Sequence, residues 1–267
     1  MVKETGLPVV VGIDGSEQSD RAVRYAVEQA RRHGVGITLV HAVHETAPMA
    51  AMLPLYSVES FAEVGRRLVG DAERLALEIN PDVEVGTSVK GGSRVGVLVD
   101  AGKHASQIVL GHRSRSLAGR VLTSSTTTGV AARAHCPVVS VPDMWVPGTE
   151  HGRVVVGIDE SDASHDALDL AFREARSRGA KLVVLHAWWL PSGYDDLVGT
   201  PTAVHEWELV VKREMDEVLA PLPVFQVSTP VRPLLGGMVR TLPNVCAGLR
   251  AGSDETRTTR PPGQAGH

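Results

Sequence analysis

The sequence predicts an α/β protein: two tandem open parallel sheets with helices on both faces, the second copy incomplete. Three observations predict it. Residues 8–43 and 153–188 align without a gap. Both copies open on the same apolar, β-branched run, VVVGI. Strand-like and helix-like segments then alternate along the chain. A strand that is apolar throughout is buried on both faces, as in a parallel sheet covered by helices. Strand–helix alternation is the signature of a doubly wound sheet.

The repeat is dense. Val9, Val10, Val11, Gly12, Ile13, Asp14 and Ser16 recur as Val154, Val155, Val156, Gly157, Ile158, Asp159 and Ser161. Ala22, Ala26, Ala30, Gly34, His41 and Ala42 recur as Ala167, Ala171, Ala175, Gly179, His186 and Ala187. The period is far too long for a solenoid, so the chain is a duplicated domain. Domain 1 is expected over 1–142. PDMWVPGTEHG carries the Pro/Gly punctuation of a linker, expected over 143–152.

In the first copy, VVVGI is the first strand and DGSEQS a polar turn. Ala22, Val23, Ala26, Val27 and Ala30 follow at helical spacing. Ser19 or Asp20 is placed to cap this helix and Gly34 to end it. ITLVHAV is the second strand. A helix is expected over about Val58–Glu78. Val83, Val85, Thr87 and Val89 alternate as a third strand. A short helix from about Ser93 to Lys103, a strand at Ile108–Leu110, a helix over about Thr126–Ala134 and the strand PVVSV at 137–141 complete the copy. Cys136 reads as a small buried side chain before that strand. PMAAMLPLY at 48–56 reads as surface packing or a lid, and Trp188 and Trp189 as packing residues.

The second copy departs from this pattern late. Val224–Val231 suits its third strand, so domain 2 is expected over 153–232. After Arg232 no fourth strand or glycine loop follows. Residues 233–267 are rich in Gly, Arg, Thr and Pro, which favours an irregular or disordered tail. The abrupt loss of matching suggests a truncation or frame shift near codon 233, which the alternative reading frames would test. Such a copy would leave the edge of its first strand unpaired.

Composition narrows the function classes. A chain of 267 residues suits one large or two small domains, and 43% hydrophobic with 22% charged residues supplies an ordinary core. A net charge of −4 gives no sign of nucleic-acid binding. No apolar run reaches the ~18 residues of a membrane span, so no membrane partner is expected. The N-terminus lacks a signal-peptide core. Cys136 and Cys246 fit no metal spacing. The expectation is a reduced, cytoplasmic, soluble protein.

One stretch carries chemistry: IVLGHRSRSLAGRVLTSS, residues 108–125. A buried strand, a glycine, a basic and hydroxyl-rich loop and the approach to a helix form a common phosphate-binding arrangement. Helix N-termini attract anions, and Ser124, Ser125, Thr126, Thr127 and Thr128 stand where a helix begins. Arg113, Arg115 and Arg120 add positive charge.

VVVGIDGS, ITLVHAV, the segment before the fourth helix and CPVVSV resemble the universal stress protein family, in its tandem two-domain bacterial form. The resemblance covers residues 7–142 and 153 to about 232. It implies a five-stranded parallel sheet in the order 3-2-1-4-5, with some members binding ATP and others not. The ATP-binding pattern is Gly, two residues, Gly, nine residues, Gly, then Ser or Thr. Its positions here are Gly111, Ser114, Ser124 and Ser125, so one glycine of three is kept. Serine adds a Cβ and resists φ > 0, at a cost of about 1 kcal/mol, or roughly tenfold in affinity. The loop is either a phosphate site rebuilt from side chains or a remnant.

By the same resemblance, Gly12, Asp14 and Ser16 lie at the nucleotide site, at the topological switch point. The other reading of Asp14 is a cap on the turn. Val40 and His41 match the strand end that receives adenine through backbone groups, with the His41 ring structural. The implied cofactor is ATP, with Mg, and the implied partners are the nucleotide and a second copy in a homodimer. Asp159 lacks the phosphate-gripping half of such a site.

Two main functions compete: a nucleotide-binding regulatory protein of the stress response, and a dimeric interaction or scaffold protein pairing through PVVSV. No general base is identifiable, so no enzymatic role is predicted. An ATP pyrophosphatase would carry a Ser-Gly-Gly-rich loop after the first strand, a receiver domain clustered acids, and a dinucleotide fold G-x-G-x-x-G. None is present.

Overall fold

β1 (Val9–Gly12) is the strand around which the first unit is organised. In the computed structural model, the described residues are 6–43, 58–112, 125–149, 151–159, 161, 163–188, 209, 213 and 240–241. The chain divides into two compact units, Met1–Thr149 and Glu150–His267.

The first unit runs β1, α1 (Glu17–His33), β2 (Ile37–Val43), α2 (Val58–Ile79), β3 (Val85–Gly91), α3 (Arg94–Gly102), β4 (Gln107–Gly111), α4 (Ser125–Ala131) and β5 (Val138–Val141). The five strands form one sheet in the order β3-β2-β1-β4-β5, every pair parallel. This is the predicted fold. β1 lies between β2 and β4: Val10 stands opposite Thr38 on one side and Ile108 on the other.

Strand alternation sends β1 side chains to both faces. Val9 and Val11 pack with Ala22, Val23 and Ala26 of α1 and Val69, Ala72 and Ala76 of α2. Val10 packs on the opposite side with Val97 and Leu98 of α3 and Val130 of α4. The apolar stripe of α1 buries as its spacing predicts. Gly34 ends the helix at φ 67, a left-handed conformation that glycine adopts without a Cβ penalty.

The predicted N-cap of α1 is corrected. Ser16, rather than Ser19 or Asp20, holds the extended cap conformation, and its Oγ accepts from the Ser19 backbone N–H at 3.3 Å. The turn after β1 is tight, so the helix starts at Glu17. Ser19 is therefore inside the helix and buried, its hydroxyl donating to the Ser16 carbonyl at 2.8 Å. Ser93 caps α3, accepting from Gly96 N–H at 3.1 Å. Cys136 is half-buried beside the α3–α4 face, and burial pushes its thiol pKa up.

The residues after β5 lie against the first unit. Asp143 pairs with Arg21 at 3.1 Å, and Trp145 meets Tyr25 edge-on at a centroid distance of 5.4 Å.

The second unit contains β6 (Arg153–Ile158), α5 (Ala163–Arg178), β7 (Lys181–Trp188) and β8 (Arg240–Thr241), with sheet order β6-β7-β8. β6 and β7 are parallel, in the same register as β1 and β2. β8 is antiparallel to β7. Of residues 233–267, expected to be irregular, the described ones are Arg240 and Thr241, and these form β8. The third strand expected at Val224–Val231, the 48–56 segment and Trp189 lie outside the described residues.

The duplicated strand has different surroundings in the two units. Val10 is 2% exposed and its counterpart Val155 is 52% exposed. A Cβ built on Gly12 would meet Leu110 Cδ2 at 2.6 Å, whereas one built on Gly157 meets nothing within 4 Å among the described residues. Among the described residues, β6 has a neighbour on one side only. Among the described residues, the VVVG run is therefore a strand paired on both edges in one unit and on one edge in the other.

A substitution pair tests this contrast. Val10→Ala is expected to destabilise the first unit by about 2 kcal/mol through lost burial and a cavity. Val155→Ala is expected to change the second unit by less than about 0.5 kcal/mol. Chemical denaturation resolved by unit measures both, and equal losses would contradict the assignment.

Candidate functional site

The sheet order reverses between β1 and β4. The chain leaves β1 toward β2 on one side, while β4 and β5 build outward on the other. α1 and α2 cover one face, and α3 and α4 the opposite face. In an open α/β sheet, divergence of this kind leaves a crevice at the C-terminal strand ends, where ligands bind.

The structure brings six of the predicted residues to that edge: Gly12, Asp14, Ser16, Val40, His41 and Gly111. Gly12 stands opposite Val40 in the β1–β2 register. The β1–β4 register, Val11 opposite Val109, brings Gly111 beside the end of β1. Ser125 is the first residue of α4. Arg113, Ser114 and Ser124 lie outside the described residues.

Asp14 is exposed, and its carboxylate closes the turn. Oδ1 accepts from the Ser16 backbone N–H at 3.1 Å and from the Ser16 hydroxyl. An Asp accepting from the backbone two residues on is an Asx-turn. The middle residue, Gly15, has φ 76, and a Cβ there would strike Leu68 of α2. Ser16 then caps α1. Asp14 and Ser16 thus have a structural task at the same place as their predicted ligand role.

The second unit repeats this turn. Asp159 Oδ1 accepts from Ser161 N–H at 3.0 Å, from the Ser161 hydroxyl, and from the Ser164 hydroxyl at 2.8 Å. The Ser161 hydroxyl, then the Ser161 N–H and Ser164, hold the Asp159 pKa down to about 2. These bonds favour the ionised carboxylate. The turn forms here although, among the described residues, β6 has no neighbour equivalent to β4.

Val40 is buried, and its carbonyl accepts from Ile13 N–H at 2.9 Å. His41 Nδ1 lies 2.8 Å from the Ile13 carbonyl. A carbonyl only accepts, so Nδ1 carries the hydrogen. The ring fastens the end of β2 to the chain leaving β1, and Gly65 of α2 packs closely over it. The structural reading of the His41 ring fits this bond.

Gly111 is required by packing. A Cβ on it would overlap the Gln18 carbonyl group in the first turn of α1. That neighbour is backbone and cannot swing aside. The sequence pattern ties this glycine to phosphate approach, and the structure adds helix–strand contact as a reason for it.

His112 is a residue the sequence reading did not single out. Its backbone N–H donates to the Val141 carbonyl at 2.9 Å, extending the β4–β5 ladder. Its Nδ1 is shielded from solvent and, among the described residues, has no hydrogen-bond partner. A single histidine after a strand carries no spacing signal, so only burial reveals it. Among the described residues, no group of three or more His, Cys, Asp or Glu is placed to hold a metal ion. No helix among them is long and apolar enough to cross a membrane.

Fold and crevice together define a doubly wound α/β unit of the type that takes ligands at its switch point, followed by a partial repeat of itself. The chain belongs to the universal stress protein family, whose family model matches residues 7–142 and 150–232. A universal stress protein of Mycobacterium tuberculosis is 34% identical over 189 residues, covering 67% of this chain and 63% of the relative. One from Mycolicibacterium smegmatis is 35% identical over 189 residues, with the same coverage. The chain spans a little under two thirds of the length of these relatives. The solved universal stress protein of Archaeoglobus fulgidus DSM 4304 shares the fold, with a TM-score of 0.59 and 18% identity, over 81% of this chain and 75% of that one.

Gly111→Ala tests the packing role. It is expected to destabilise the first unit by at least about 1–3 kcal/mol, the cost of forcing a methyl group against backbone. Thermal unfolding without ligand measures it, and an unchanged Tm would show that α1 can move away.

Proposed function

We propose that the first unit is the regulatory unit of a stress-response protein and takes an adenine nucleotide at the C-terminal ends of β1 and β4. The observation that carries this reading is the gathering of Asp14, Ser16 and Gly111 at the strand ends beside the switch point. Gly12 stands at the end of β1, and Val40 and His41 lie at the β2 side of the same edge, where the adenine would sit. Arg113, Ser114, Ser124 and Ser125 would hold the phosphates of ATP, with Mg. The expected output is a change of conformation or partner, with hydrolysis slow at most. The second unit contributes Asp159 without a matched phosphate half, so one nucleotide per chain is expected.

A second reading is favoured by β5. It is the outermost strand of its sheet, paired with β4 alone, and Val138 and Val139 are only partly buried. An edge of this kind pairs with another strand. On this reading the protein acts as a homodimer or scaffold through β5 and binds no nucleotide.

Calorimetric titration of the full chain with Mg-ATP decides between the two. Saturable binding near one per chain is expected, weakened about tenfold by Asp14→Ala through loss of a charge-assisted contact. Asp14 also closes a turn, so the Tm of the ligand-free variant is measured beside it. No binding at millimolar ATP overturns the nucleotide reading and leaves the β5 interface.

A further inference from the structure

We infer that His112 is a ligand-contacting residue of this crevice, with Nδ1 donating a hydrogen bond to a phosphate oxygen of the bound nucleotide. The inference rests on the nucleotide reading above and adds a residue at one of the positions the glycine-and-serine pattern leaves unspecified. Its basis is the orphaned nitrogen. A buried polar atom without a partner is destabilising, and native proteins rarely keep one without a use. Among the described residues Nδ1 of His112 is such an atom, just past the C-terminal end of the strand beside the switch point.

Its backbone is held on two sides. Gly111 is pressed against the Gln18 carbonyl of α1, and the His112 N–H is bonded to Val141 of β5. Alternation along β4 puts His112 on the same face as Ile108 and Leu110. Those two pack with α3 and α4. The imidazole therefore stands on a fixed platform on the side from which α4 approaches. His41 differs sharply: its Nδ1 is already committed to the Ile13 carbonyl. An imidazole nitrogen held in place but unmatched suits a hydrogen-bonding oxygen that arrives with a ligand. A phosphate oxygen is the acceptor for which an imidazole N–H is a charge-assisted donor.

The test uses the full chain and His112→Leu, which keeps bulk and removes both ring nitrogens. If Nδ1 is unmatched without ligand, the variant's ligand-free Tm should hold or rise by about a few degrees. A clear fall in Tm would mean the ring is already satisfied within the protein, and would overturn the inference. Calorimetry with Mg-ATP and with adenosine supplies the second readout. The variant should bind ATP about tenfold more weakly and adenosine unchanged. Equal ATP affinity in wild type and variant overturns the role of His112 while leaving the nucleotide reading intact. Failure of the wild type to bind either compound overturns the nucleotide reading itself, and this inference with it. The 15N resonance of His112 Nδ1 gives a direct check, since it should shift on adding ATP and stay unmoved by adenosine.

Discussion

The enclosure of β1 on all four sides is the constraint on which the first unit depends. β2 and β4 pair with its two edges, and two pairs of helices cover its two faces. Its residues are apolar on both faces because neither face sees water. Among the described residues, the second unit repeats the strand without the enclosure. β6 keeps the VVVGI sequence and the register with the strand on one side, yet Val155 is 52% exposed and Gly157 has no described neighbour to crowd it. The difference lies in the neighbours: Leu110, α3 and α4 enclose β1, and no described element does so for β6.

The candidate crevice is built from the same constraints. Asp14 and Ser16 turn the chain from β1 into α1, and Gly111 lets α1 lie directly on β4. These are folding tasks, and they also shape a polar edge where the two strands end. In this protein the residues that look most like a binding motif are therefore also those that close the connection. The repeat of the turn at Asp159, where no described strand replaces β4, separates the two tasks. His112 is different: its side-chain nitrogen has no described folding task, which is why it carries the functional inference.

Much of the first unit was legible in its sequence because periodicity there is strong. The spacing of Ala22, Val23, Ala26, Val27 and Ala30 marked the buried stripe of α1, and Gly34 marked its end. The cap was misplaced because Ser16, Ser19 and Asp20 are all good cap residues, and only the tightness of the Asp14 turn selects Ser16. The role of Gly111 in packing was invisible because it depends on a contact with Gln18, far away in sequence. His112 was missed for the same reason, since the burial of one nitrogen leaves no trace in spacing. The serines replacing two glycines of the family pattern were plain to read, but their consequence depends on backbone angles that residue names do not specify.

Native-state hydrogen exchange tests the central claim most directly, by comparing the amides of Val9–Val11 with those of Val154–Val156. Enclosure of β1 predicts that the first set opens only with global unfolding of its unit, while the second set exchanges by local opening orders of magnitude faster. Equal protection of the two sets would contradict the account, because the duplicated strand would then be equally enclosed in both units.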